Sequence, residues 1–127
     1  MSRTFPFELD VRFAPVWAPM LLTPGRQGVT LTDEGRLVAR YGLLVVDTPL
    51  ANIADAHITG HYRWWTAVGP RVSFADDGLT FGTTNHGGVC IHFREPVRRV
   101  IGRRNHSALT VTVADRDGLV RALTAVG

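Results

Sequence analysis

Lysine is absent from the 127 residues, and cysteine occurs once. The single Cys90 excludes an internal disulfide framework and any zinc site built from several cysteines. A reducing compartment is therefore the expected setting, and the chain reads as cytoplasmic. Long apolar runs are missing as well. The most hydrophobic stretch, Phe13 to Leu22, is interrupted by Pro15 and Pro19, and it falls far short of the roughly 20 residues needed to span a bilayer. Glu8 and Asp10 fall where the apolar segment of a secretion signal would lie. There is no phosphate-binding loop, no Gly-x-Gly-x-x-Gly after a strand, no Gly-x-Ser-x-Gly elbow and no EF-hand spacing, so no nucleotide, dinucleotide or other cofactor is expected.

What the chain does have is arginine. Its 14 arginines face 11 acidic residues, giving a formal charge of +3 and an isoelectric point near 10.0. An excess of three charges is small, and the high isoelectric point reflects the pKa of arginine itself, so composition does not favour specific nucleic-acid binding. Hydrophobic residues make up 45% and charged residues 20%, enough apolar surface to build the core of one domain of ordinary size.

Strand signals dominate. Phe5, Phe7, Leu9, Val11 and Phe13 alternate with polar residues or proline, which predicts a strand. Ala14 to Leu22 reads as an edge strand or extended crossing because of its prolines. Gly28 to Thr32 and Arg36 to Tyr41 flank Asp33-Glu34-Gly35 and predict a hairpin. Leu43 to Val46 predicts a buried strand stopped by Pro49. Ile53 to Thr59 and Tyr62 to Val68 are rich in β-branched or aromatic residues, with weaker alternation. Asp76-Asp77-Gly78 predicts a turn between Val72-Phe74 and Leu79-Phe81. Further on, Val89, Ile91 and Phe93 point one way and Cys90, His92 and Arg94 the other, until Glu95-Pro96 ends the strand. After a loop from Glu95 to Ser107, Ala108 to Val113 forms the last strand. Asp115 then caps a helix whose buried face is Leu119, Val120 and Leu123, with Asp117 complementing the dipole in its first turn.

This order predicts a mainly β, antiparallel, partly open barrel with one C-terminal α-helix over an open end. It resembles the pleckstrin-homology-like fold of small bacterial proteins, over Gly28 to Val126. That resemblance implies residues 28–127 as barrel and helix, with residues 1–24 an N-terminal extension carrying an extra strand. Three segments, His57-Ile58-Thr59-Gly60, Val72 to Thr83 and Gly88 to Phe93, resemble a family of short proteins from high-GC bacteria with no established activity. This second resemblance implies a bacterial cytosolic protein whose arginine replaces lysine through codon bias. It carries over no catalytic residue.

The densest charge feature is Arg94, Arg98, Arg99, Arg103 and Arg104 with His106, opposed only by Glu95. Planar guanidinium forks suit phosphates and carboxylates, so these six are candidates for an anionic or protein partner. Arg63, Trp64 and Trp65 with Arg71 are candidates to line a small-molecule pocket, because aromatics beside arginine stack bases or hold cations. Cys90 and His92 leave one face of a strand and offer a thiolate and base, although no Asn or Asp is placed by sequence to orient His92. The five histidines lie in no spacing with zinc specificity, so no metal is expected. The expected function is a non-catalytic pleckstrin-homology-like module acting through protein association or peripheral contact with anionic partners. A small-molecule barrel is the alternative and a Cys/His enzyme the third. Exposed strand edges add the expectation of a homo-oligomer.

Overall fold

Apolar residues at every second position give each strand one face to bury, and the strands sort into two sheets. The computed structural model describes residues 3–15, 18, 27–59, 69–72, 78–83, 87–98, 100 and 105–126, with the backbone alone at 13, 69–72, 125 and 126. The first sheet holds β1 (Arg3–Phe5), β2 (Gly28–Leu31), β3 (Arg36–Tyr41) and β4 (Leu44–Pro49), neighbours in chain order and all antiparallel. The β2–β3 hairpin follows the predicted alternation, burying Val29, Leu31, Leu37, Ala39 and Tyr41.

Three predicted boundaries in this half are corrected. The strand expected from Phe5 to Phe13 ends at Phe5, beyond which Phe7 keeps one bridge to Val113, while Leu9 and Val11 are 55% and 80% exposed. The Asp10 side chain accepts from the Arg12 backbone N–H at 3.1 Å and starts a 3-10 turn at Val11–Phe13. Such a local bond offers the backbone an alternative to the ladder. Ala14, Pro15 and Ala18, expected to be extended, are helical, and the rest of that crossing lies outside the described residues. Leu43 to Val46 is not a buried strand: Leu43 is exposed in the turn before β4, where Gly42 has φ 63, and of the rest only Val46 is buried, with Val45 facing solvent. Phe5 of β1 and Phe7 beyond it lie in the core.

The second sheet has the order β5 (Ile53–Thr59), β8 (Gly88–Val97), β9 (His106–Val111), β7 (Leu79–Gly82), β6 (Gly69–Val72). β7 and β9 run parallel while the other pairs are antiparallel. Among the described residues no ladder closes the two sheets into a barrel. They are joined at one corner, where the Glu8 N–H donates to the Thr112 carbonyl (2.8 Å) and the Ala114 N–H to the Pro6 carbonyl (3.0 Å). The turn predicted at Asp76-Asp77 and the strand at Tyr62–Val68 lie outside the described residues, but Val72 does pair with Leu79.

β8 passes through Pro96 instead of stopping at it, and β9 begins at His106, so the predicted 95–107 loop is shortened from both ends. The reason is local. The Asn52 side chain accepts from the Glu95 N–H and donates to the Glu95 carbonyl, both at 2.9 Å, which replaces a ladder partner where proline has no N–H.

Tyr41 links the sheets through the core. Its ring meets Phe7 edge-on (5.6 Å) and stacks on Phe81 (5.5 Å), and its hydroxyl donates to the Gly82 carbonyl at 3.0 Å. The C-terminal helix α1 (Arg116–Val126) starts where Asp115 accepts from the Gly118 N–H at 3.0 Å. Leu119 and Leu123 are buried, Val120 only partly, and the helix packs against β5, β8 and the 3-10 turn Leu50–Asn52. Among the described residues no helix is long and apolar enough to cross a membrane.

Candidate functional site

Period two along β8 sends Val89, Ile91 and Phe93 into the core, and Cys90, His92 and Arg94 to the outer face. Arg94 then marks the start of a cleft. Its Nε donates to the Ala51 carbonyl at 3.2 Å, and the Asn52–Glu95 bracket beside it fixes the end of β8 against the turn after β4. The resulting open cleft of about 510 Å³ is lined by Asp47, Asn52, Arg94, Glu95 and Arg98, among others. Asp47 is already engaged by the Arg36 Nε at 2.7 Å. Among the described residues no carboxylate is within ion-pair distance of Arg94 or Arg98, although Asp47 and Glu95 share the lining.

Of the six predicted anion-binding residues, the structure therefore brings together Arg94 and Arg98. His106 does not join them. It is fully buried at the start of β9, and its Nε2 accepts from the Val100 N–H at 3.0 Å, so it holds Val100 from inside. Arg99, Arg103 and Arg104 lie outside the described residues, as do Arg63, Trp64 and Trp65. Arg71 sits in β6 opposite Thr80, with its side chain outside the described part.

The other half of the β8 outer face holds a cluster that sequence reading saw in part. Antiparallel pairing sets Asp55 opposite His92 and His57 opposite Cys90. A register shift between Ile53 and Asp55 changes the phase of β5: Ile53 is buried opposite Phe93, yet Asp55 and His57 stand on the outer face. One extra residue in a strand re-aims everything after it. His92 Nδ1 donates to Asp55 Oδ1 at 2.7 Å, and His92 Nε2 lies 3.9 Å from Cys90 Sγ. The His57 and His92 rings stack at 5.5 Å, with an angle of 24° between their planes.

Asp55 is the residue sequence reasoning missed. It lies 37 positions from His92, and only the weak alternation of β5 signalled that its phase was broken. Chemically the group offers an imidazole of fixed tautomer, a second imidazole and a partly buried thiol; the His57 and His92 side chains are 55% and 43% exposed. Comparison of the chain with known protein families, curated proteins and solved structures finds no match.

Proposed function

We propose that this chain is a cytoplasmic, non-catalytic binding module of the pleckstrin-homology-like kind, which associates with an anionic partner through the cleft at Arg94 and Arg98. The observation that carries this reading is the pair of guanidiniums on one open cleft with no carboxylate bound to either among the described residues. Arg94 lines the cleft and is held through Nε, which does not consume its terminal nitrogens. A four-stranded meander, a second sheet and a C-terminal helix support the fold assignment. The parallel β7–β9 pair is a departure from a simple meander. β4 and β5 are edge strands, which supports pairing between copies of the chain.

The test uses two probes, an acidic peptide and vesicles containing anionic lipid. Replacing Arg94 and Arg98 together by alanine should weaken retention at least about tenfold, and retention by the parent should fall steeply with salt. Retention that survives the double substitution refutes the reading. Light scattering of the parent checks association between copies.

One observation favours a second reading, a cysteine nucleophile. Asp55, His92 and Cys90 stand in the order that holds an imidazole to draw a proton from sulfur, at 2.7 and 3.9 Å. Cys90 should then alkylate unusually fast near neutral pH, and Asp55→Ala should slow it. An ordinary rate removes this reading.

A further inference from the structure

We infer that His57, Cys90 and His92 form a binding site for one thiophilic divalent transition-metal ion, zinc foremost. One ligand atom from each residue lies within 4.8 Å of the others. In a tetrahedral zinc site, bond lengths near 2.0–2.3 Å separate neighbouring donor atoms by about 3.5 Å. Cys90 Sγ and His92 Nε2, at 3.9 Å, are already close to that spacing, and His57, the exposed member of the three, can close the remainder by side-chain rotation.

Asp55 gives the second, independent argument. By accepting from His92 Nδ1 at 2.7 Å it fixes the proton on that nitrogen, which leaves the Nε2 lone pair facing Cys90. This carboxylate–histidine arrangement is how metal-ligating imidazoles are held and oriented. Asp55 is thus a positioning residue: its Oδ1 holds His92 Nδ1 at 2.7 Å and also lies 3.9 Å from His57 Nδ1. The donor set selects the ion. Two imidazoles and a thiolate suit zinc and its borderline-soft neighbours, while calcium and magnesium require oxygen ligands. Three protein donors leave the fourth tetrahedral position to water or to a group from a partner. Binding releases the thiol proton to solvent: Cys90–SH and the ion give a sulfur–metal bond and one proton, while the two imidazoles donate lone pairs without redox change.

The site does not rest on the anion-binding reading, and Arg94→Ala with Arg98→Ala should leave it intact. The full chain, reduced and freed of metal by a chelator, is titrated with zinc chloride by calorimetry and with cobalt(II) chloride by absorption. We expect one ion per chain, proton release, and a sulfur-to-cobalt charge-transfer band. Cys90→Ser should abolish the band. His57→Ala should lower affinity at least tenfold while leaving the alkylation rate of the metal-free thiol unchanged, a result that separates a metal site from a Cys–His nucleophile, which needs no His57. Asp55→Asn should cost 10–100-fold in affinity and keep the band. Circular dichroism confirms that each variant is folded. Failure to take up zinc at micromolar ion, or uptake indifferent to both His57→Ala and Cys90→Ser, overturns the proposal.

Discussion

The two sheets share a core but differ in how their strands find each other. In the first, β2, β3 and β4 are joined by tight turns and pair in chain order, so register follows from turn chemistry. In the second, β5 pairs with β8 and β7 with β9, strands brought together from distant parts of the chain. The solvent faces differ accordingly. The first displays an exposed Arg36–Asp47 ion pair, of the kind worth at most about 1 kcal/mol. The second gathers Asp55, His57, Cys90 and His92 in one place. Hairpin partners are constrained by the turn that joins them, whereas a ladder between distant segments can align reactive groups with no local cost.

The largest effect should come from cutting the link between the sheets. Phe81→Ala removes a fully buried ring stacked on Tyr41, and it should cost about 3–5 kcal/mol in urea unfolding. A single transition is expected; two separate ones would show that the sheets are independent units. Gly28→Ala acts on the first sheet alone. Gly28 has φ 115, and a Cβ there would sit 2.6 Å from the Phe5 carbonyl oxygen, so a loss of about 1–3 kcal/mol is expected with zinc affinity unchanged. Altered affinity would break the separation drawn between the sheets. Tyr41→Phe leaves the Gly82 carbonyl buried without this donor, at a cost of about 1–2 kcal/mol, and a double-mutant cycle with Phe81→Leu should reveal coupling across the interface. Smallest of all, His57→Ala should change stability by less than about 0.5 kcal/mol, since the ring is half exposed. Its effect belongs to the metal titration.

Much of the first sheet was legible because alternation and turn residues are local signals. Val29, Leu31, Leu37, Ala39 and Tyr41 are buried as the pattern requires, and Asp115 caps α1 as its position suggests. The errors lie where a local bond or a distant partner intervened. Asp10 caps a 3-10 turn inside the predicted strand, which ends at Phe5, and Asn52 carries β8 past Pro96 by standing in for a ladder partner. His106 looked like part of an exposed basic loop, yet it is the first residue of a buried strand.

Local sequence is enough to place Cys90, His92 and Arg94 on the same face of one strand, because side chains in extended chain alternate with period two. It also determined a mainly β chain closed by a capped helix. What stands beside that face is set by the packing of distant strands. The pairing of β5 with β8 and the register shift after Ile53 place Asp55 and His57 there. Neither is encoded within reach of a turn: both depend on which distant strand the sheet accepts as its neighbour, and on how an unpaired residue shifts the phase of everything that follows it.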